Sequence, residues 1–244
     1  MSPILQTFDL TKRYAGIVAS NAVNFELEAG RIHALIGPNG AGKTTFVGLL
    51  SGRIDATSGR VEFKGLDITK LRAHERIRMG MAYTFQITSI FSNLTVYENV
   101  ALAARVKTGS KPSAIRERVR TVLKQLGIDA IERQTAGDLS YGHQRLLEIA
   151  MGLSQSPELF IMDEPTQGLS DPEIEHYKSL VKELAGNTTI LLIEHNMDVV
   201  MSTADDITVL DQGSVLAQGS PSDIQNNHEV QAAYLGTTAA EQAS

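Results

Sequence analysis

The sequence predicts an α/β fold with a parallel sheet, an antiparallel β subdomain at the front and a helical insert. Two continuous apolar runs, 159–162 and 189–193, have strand length and are typical of the middle of a parallel sheet. Residues 4–10 and 23–27 instead alternate apolar and polar side chains, as half-buried antiparallel strands do. From about residue 95 to 155 the apolar residues take helical spacing, which indicates the insert.

The length and composition of the chain fit one large domain rather than several. The 244 residues are 42% hydrophobic, which is enough for a full core, and we expect the domain to span residues 1–236. The helical insert is expected at approximately 90–155. The segment 237–244 is small and polar, and we expect it to be disordered.

The residue content argues against several classes of function. The chain has no cysteine, and therefore neither a disulfide framework nor a thiolate metal site. Its net charge of −6 disfavours nucleic acid as a partner, because such proteins are usually basic. No apolar run approaches the roughly 20 residues that span a bilayer, and the first residues lack a signal-peptide pattern. We therefore expect a soluble protein that reaches membranes only through a partner.

A glycine-rich loop provides the strongest functional signal. It lies between a short apolar run, 32–36, and the start of a predicted helix at 46–50, and this strand–loop–helix context is what a phosphate-binding loop requires. Glycines let successive N–H groups face phosphates, Lys43 can reach the β- and γ-phosphates, and the Thr44 hydroxyl can hold Mg²⁺. The predicted nucleotide-binding residues of this loop are Gly37, Pro38, Asn39, Gly40, Ala41, Gly42, Lys43, Thr44 and Thr45.

Two acids follow the buried strand 159–162. A carboxylate at the carboxyl end of a central strand lies beside the phosphate loop in open α/β sheets. Asp163 is therefore placed to hold Mg²⁺, and Glu164, one residue further, could polarise an attacking water. Without the phosphate loop, the pair would be interpreted as two solvated acids at a strand end.

A second anion site is predicted before the helical run 145–153. Ser140 is a good helix N-cap, and Gly142 permits close approach of a ligand to the helix start. Taken alone, the segment would be interpreted as a simple capped helix. In this context it resembles the signature motif of the ATP-binding-cassette (ABC) superfamily, with Tyr141 and His143 where Gly and Gln are usual.

The resemblance to ABC ATPases, which are P-loop NTPases, covers nearly the whole chain in order. Gln86 matches the glutamine loop, which contacts Mg²⁺ and water, and His195 matches the switch histidine, which contacts the γ-phosphate. The resemblance implies ATP and Mg²⁺ as cofactors and Glu164 as the general base. It also implies a head-to-tail dimer with a second ABC ATPase subunit, identical or paralogous, in which Ser140 and Gly142 contact the partner's ATP.

Tyr14 precedes the second predicted strand, where aromatic residues of this superfamily stack on adenine. Packing of the Tyr14 ring into the sheet edge is the alternative. The apolar residues of the segment 87–91 suit a surface that receives transmembrane permease subunits, and ordinary packing between two lobes is the alternative there.

Several segments narrow the resemblance to one kind of transporter. Tyr141, residues 193–197 and the ending 233–236 are similar to ATPases of branched-chain amino-acid importers, with urea and amide importers close behind. The implied role is to power import, as a cytoplasmic subunit held on the inner face of the membrane by permease subunits and served indirectly by a solute-binding protein. The other classes we consider are a soluble ABC ATPase acting on ribosomes, a chromosome- or repair-associated ATPase, and a non-ABC nucleotide switch or kinase.

Overall fold

The computed structural model of the protein describes residues 3–84 and 89–241 and contains two sheets with helices around them. The strands are β1 (Pro3–Tyr14), β2 (Ile17–Glu28), β3 (Ile32–Ile36), β4 (Ser58–Phe63), β5 (Leu66–Asp67), β6 (Met81–Tyr83), β7 (Leu159–Asp163), β8 (Thr189–Ile193), β9 (Asp206–Asp211) and β10 (Ser214–Gly219). The helices are α1 (Lys43–Ser51), α2 (Ala73–Arg78), α3 (Val96–Thr108), α4 (Pro112–Gln125), α5 (Tyr141–Ser154), α6 (Asp171–Leu184), α7 (Met197–Thr203), α8 (Pro221–Gln225) and α9 (His228–Glu241).

The larger sheet has the strand order β10-β9-β3-β8-β7-β6, and all of its strands except β10 run parallel to their neighbours. Every residue of β3, β7 and β8 is buried. Phe160 and Met162 pack against the helices of the insert, while Leu159 and Ile161 pack on the opposite face against α1 and the antiparallel sheet. Burial on both faces explains why these strands are continuously apolar in sequence, and it confirms the predicted parallel sheet.

The smaller sheet is antiparallel, with the strand order β2-β1-β4-β5. Its first two strands are longer than the alternating segments predicted, because the ladder continues through irregular positions. The register shifts between Thr7 and Leu10, and Asp9 and Ala22 have positive φ. Such bulges interrupt the alternation of side chains while the strand pairing continues beyond them.

The helical insert is built from α3, α4 and α5, as predicted. A capping box starts α3, because Thr95 Oγ1 accepts from the Glu98 amide at 3.2 Å and Glu98 Oε2 accepts from the Thr95 amide at 2.8 Å. Ile115, Val119 and Val122 form the buried face of α4. Residues 126–140 connect α4 to α5, which begins at Tyr141.

The end of the chain differs from the prediction. Helix α9 runs to Glu241, although the folded domain was expected to end at Gly236. Ala239, Ala240 and Glu241 are strong helix formers, so the helix continues through a segment whose small and polar composition suggests disorder. Across residues 3–84 and 89–241, no helix has both the length and the hydropathy needed to cross a bilayer.

A buried arginine connects α1 to α2. Arg76 is 2% exposed, and its guanidinium donates to the carbonyls of Leu49 and Leu50 at the end of α1, both at 2.7 Å. It also donates to the carbonyls of Leu71 at 2.9 Å and Thr69 at 3.0 Å. Carbonyls in the last turn of a helix lack intrahelical donors, so Arg76 satisfies groups that would otherwise be buried without partners.

Replacing Arg76 by Met should lower the free energy of unfolding by about 3 kcal/mol, because several buried carbonyls lose a charged donor. Arg78→Met in the same helix is the matched control, since Arg78 is exposed. Urea unfolding of both variants tests this, and equal stability of the two would contradict the assigned role of Arg76.

Candidate nucleotide site

The glycine-rich loop joins β3 to α1, as predicted, and two of its glycines leave no room for a side chain. A Cβ on Gly37 would lie 2.1 Å from the carbonyl oxygen of Leu210, and a Cβ on Gly42 would lie 2.3 Å from that of Ala19. Gly42 also has φ 95°, a conformation that other residues rarely adopt. The neighbouring backbone therefore requires glycine at both ends of the loop.

Lys43 folds back over the loop. Its Nζ donates to the carbonyl of Gly37 at 2.7 Å and to that of Pro38 at 3.1 Å. Burial lowers the pKa of the Lys43 ammonium, while the nearby carboxylates of Glu164 and Asp163 oppose that shift. The loop thus holds a buried cation beside the N-terminus of α1, and both features favour an anion.

A cavity of about 670 Å³ opens above this loop. It brings Lys43 together with Glu164 and His195, two of the predicted catalytic residues. Its wall also contains the start of β2 and Gln212, which the sequence analysis did not single out. The lining residues are Ile17, Val18, Ala19, Asn39, Gly40, Ala41, Gly42, Lys43, Thr44, Thr45, Glu164, His195 and Gln212.

Tyr14 lies one hairpin turn from the cavity. It pairs across β1 and β2 with Ile17, which lines the cavity and is 69% exposed. The Tyr14 ring is 44% exposed, with Lys12 Nζ 4.9 Å from its centroid. The ring is therefore near the mouth of the cavity, and its contact with adenine stays a prediction.

Asp163 ends β7 and is 5% exposed. The Tyr83 hydroxyl donates to Asp163 Oδ2 at 2.6 Å, and Arg53 Nη2 donates to the same hydroxyl at 2.8 Å. Burial raises the pKa of the Asp163 carboxyl, and the hydrogen bond from Tyr83 opposes that rise. Tyr83 carries no motif in the sequence, and the signal for its role is its position at the carboxyl end of β6, beside β7.

Glu164 and His195 form a pair in the cavity, with Oε1 and Nε2 2.8 Å apart. The pairing follows from the sheet, since Asp163 lies opposite Ile193 in the parallel register of β7 and β8. Glu164 has φ 47°, a conformation that is strained for a residue with a side chain, and its amide donates to the Ile193 carbonyl at 2.8 Å. Gln86, the remaining predicted catalytic residue and metal ligand, lies outside the described residues.

The predicted second anion site is at the start of α5. Ser140 is its N-cap, accepting from the His143 amide at 3.3 Å, and Ser140 Oγ lies 2.9 Å from His143 Nδ1. A Cβ on Gly142 would lie 2.0 Å from Glu173 Oε1, so a side chain at this position would require the Glu173 carboxylate to move. Gly142 lines a separate cavity of about 300 Å³ between α5 and α6. The predicted site residues therefore form two groups, one around Lys43 and one around Ser140.

Two further contacts connect these groups to the rest of the molecule. Arg145 forms a buried ion pair with Glu148 at 2.8 Å, and its Nη2 lies 3.5 Å from the carbonyl oxygen of Glu164. At the other side of the loop, the backbone of Gly37 hydrogen-bonds the phenol of Tyr234 in α9. Burial raises the pKa of Tyr234 to about 12, against the effect of that hydrogen bond.

The family model described as ABC transporter matches residues 20–167, a span that includes the loop, Ser140 and Glu164. The chain belongs to the ABC transporter family. A second model, described as branched-chain amino acid ATP-binding cassette transporter, matches residues 214–240.

Several curated relatives of this ABC cassette are branched-chain amino acid transport ATP-binding proteins. It is 40% identical over 250 residues to the high-affinity branched-chain amino acid transport ATP-binding protein LivG of Escherichia coli K12, and 38% identical to BraF of Pseudomonas aeruginosa. Both alignments cover 96% of this chain and 98% of the relative. The structure of MJ1267, an ATP-binding cassette of an ABC transporter in its ADP conformation, matches with a TM-score of 0.86 and 28% identity. That alignment covers 97% of this chain and 100% of the other.

These findings confirm the predicted fold and enzyme class. The ABC cassette is an ATPase with an α/β P-loop core, and it powers a transporter. Membership of the ABC family excludes one of the other classes considered from the sequence, a non-ABC nucleotide switch or kinase.

The raised pKa of Asp163 predicts the sign of one substitution. At neutral pH the folded state carries the cost of a buried ionised carboxylate, and Asp163→Asn should remove it, raising the free energy of unfolding by roughly 1 kcal/mol. As the pH falls through the folded-state pKa towards the ordinary value of 3.8, the wild-type carboxyl becomes neutral and the gain should vanish.

Urea unfolding of the nucleotide-free protein at pH 7 and pH 4 tests this prediction. Asp129→Asn, at an exposed position of the insert, is the control and should leave stability unchanged at pH 7. A gain for Asp163→Asn that is the same at both pH values would contradict the explanation.

Proposed function

We propose that this ATPase powers the import of branched-chain amino acids, using the phosphate loop, Asp163, Glu164 and His195 for ATP hydrolysis. The Glu164–His195 pair facing the loop across the cavity carries the hydrolytic part of this proposal. The solute class is supported by the match of residues 214–240 and by the names of the relatives above. No described side chain needs to touch the transported solute for this role.

ATP binding is assigned to the loop and its surroundings. Backbone N–H groups of Gly40 and Gly42 and the N-terminus of α1 suit the phosphates, with Lys43 supplying positive charge. The apolar side chains of Ile17 and Val18 suit the nucleoside end, where Tyr14 can stack on adenine. The close approach of backbone carbonyls at Gly37 and Gly42, where no side chain fits, supports this assignment because it requires the glycines of a phosphate-loop motif.

The residues also fit Mg²⁺. The Thr44 hydroxyl follows Lys43 in the chain and the Asp163 carboxylate acts electrostatically on Lys43, and Mg²⁺ prefers such hard oxygen ligands. Gln86 is the proposed third ligand. When bound, Mg²⁺ neutralises charge on the phosphates during transfer.

Glu164 is the proposed general base. Its side chain reaches the cavity from a strained backbone position, which is fixed by the hydrogen bond from the Glu164 amide to the Ile193 carbonyl in β8. The carboxylate is therefore held in place while a water approaches. In this structure His195 Nε2 contacts Glu164. We infer that with ATP bound His195 transfers this contact to the γ-phosphate and so helps to position the carboxylate and the phosphate together.

The second group of site residues acts on another nucleotide. Ser140 and Gly142 lie at the start of α5, whereas the cavity above Lys43 is lined by other elements. A head-to-tail dimer would place the Ser140 hydroxyl and the N-terminus of α5 against the γ-phosphate held by a second cassette, identical or paralogous. ATP would then bridge the two subunits, and its hydrolysis would release them.

The membrane partner is a permease. Phe91 is 55% exposed, yet its backbone is held on both sides by the fully buried Asn99, with N to Oδ1 at 2.8 Å and Nδ2 to O at 3.1 Å. A fixed backbone with an exposed ring suits a docking point for the cytoplasmic segment of a permease. The subunit would then lie on the inner face of the membrane, and a solute-binding protein would deliver the solute. Ile87 lies outside the described residues.

Glu164→Gln should lower the kcat for ATP hydrolysis by at least about 100-fold and leave nucleotide affinity unchanged, because the amide cannot take a proton from water. Lys43→Ala should instead weaken nucleotide binding. ATPase assays and titration with a fluorescent ATP analogue separate the two. Glu183→Gln, an exposed carboxylate in α6, is the charge control. Hydrolysis near the wild-type rate in Glu164→Gln would remove Glu164 from the role of base.

Phe91→Ser should lower leucine uptake by at least about tenfold while sparing the ATPase activity of the isolated chain, because a docking contact is lost. Leu66→Ser is the matched control, since Leu66 is 59% exposed in the antiparallel sheet. If uptake persists in both variants, Phe91 is not the docking point.

Purification of the tagged chain in mild detergent, followed by uptake assays in proteoliposomes, tests the whole proposal. We expect permease subunits and a second cassette to co-purify, and ATP-dependent uptake of leucine, isoleucine and valine. Uptake of urea or an amide without these amino acids would favour the alternative importers, and the absence of any permease would reject the importer role.

A further inference from the structure

A buried carboxylate lies next to the catalytic pair and has no role in the mechanism above. Glu194 directly follows β8 and is 3% exposed. An ionised carboxylate in the interior is costly unless hydrogen bonds satisfy it. Glu194 has such bonds, and they come from two different loops.

The two oxygens of Glu194 are divided between these loops. Oε1 accepts from the Thr166 amide at 3.0 Å and from the Thr166 hydroxyl at 2.5 Å. Oε2 accepts from the amides of His195 at 3.1 Å and Asn196 at 3.3 Å. Thr166 belongs to the loop after β7, which carries Glu164, and the other two residues belong to the loop after β8.

We propose that Glu194 is a positioning residue that fixes the Glu164 loop relative to the His195 loop. The direct contact between Glu164 and His195 is partly exposed, with 44% of the His195 side chain accessible, and we have inferred that it changes when ATP binds. Glu194 links the same two loops through four hydrogen bonds to a side chain that is only 3% exposed. It keeps the backbone of the two loops in register while the His195 side chain changes partners.

The chemistry of the site requires a carboxylate. All four contacts are N–H or O–H groups that donate to Glu194, and a carboxylate is an acceptor only. A glutamine side chain has one oxygen, which could accept hydrogen bonds from one loop. Its NH₂ group would face the N–H or O–H donors of the other loop and could not accept from them. One loop would therefore be released, although the size of the side chain is almost unchanged.

Glu194→Gln should lower the kcat for ATP hydrolysis by about tenfold to hundredfold, since misplacement of catalytic groups by about 1 Å has effects of this size. The KM for ATP should change less than about twofold, because the hydrogen bonds of Glu194 go to Thr166, His195 and Asn196 and not to the phosphate loop. Glu183→Gln is the control for loss of a carboxylate. The assays use the full chain, with thermal unfolding to verify that each variant is folded.

Thr166→Val provides a second, milder test if Glu194→Gln fails to fold. The substitution removes the hydrogen bond from the Thr166 hydroxyl to Glu194 and keeps the one from the Thr166 backbone amide. We therefore expect kcat to decrease a few-fold at constant KM. In the double variant, Thr166→Val should add little to Glu194→Gln, because the two residues share one link. In a Glu164→Gln background, Glu194→Gln should have no further effect on hydrolysis.

The inference depends on the proposed role of Glu164 and His195, and the outcomes separate the two. If wild-type protein hydrolyses ATP, Glu164→Gln does not and Glu194→Gln is as active as wild type, only the role of Glu194 is rejected. A rise in KM with kcat unchanged would reject it as well. If Glu164→Gln hydrolyses ATP normally, the catalytic assignment itself fails.

Discussion

The site depends on one constraint, which is that β3, β7 and β8 are adjacent, parallel and buried on both faces. Because they run in the same direction, their carboxyl ends meet at one edge of the sheet. Gly37 and Glu194 directly follow β3 and β8, and Asp163 ends β7; Lys43, Glu164 and His195 lie shortly after these ends. Movement of these strands towards solvent would expose apolar side chains, so the sheet firmly supports the residues at this edge.

Most of this arrangement could be predicted from local pattern. The apolar runs that become β7 and β8 and the capping box at Thr95 are each encoded within a few residues, and each was found where the pattern indicated. The phosphate loop could be predicted for the same reason. Its glycines follow the spacing of the phosphate-loop motif, and in the fold the carbonyls of Ala19 and Leu210 leave no room for side chains at Gly42 and Gly37.

What the sequence did not predict depends on contacts between distant segments. Tyr83 reaches Asp163 because β6 and β7 are neighbours, and nothing local to either residue indicates the hydrogen bond. The pairing of His195 with Glu164 needs the register of two strands that are separated by α6. The extension of α9 to Glu241 has a local cause. The segment has a small and polar composition that is typical of disordered chain ends, but its alanine and glutamate residues favour a helix.

The hydrogen bond between Tyr234 and the backbone of Gly37 connects the last helix, α9, to the phosphate loop. Tyr234 belongs to the segment 214–240 that matches the branched-chain model, and Gly37 lies in the span 20–167 that matches the ABC transporter model. The final helix is thus in contact with the first residue of the phosphate loop, although the two are far apart in the sequence. A substitution that removes the Tyr234 phenol would therefore remove a contact of the loop from outside the loop itself.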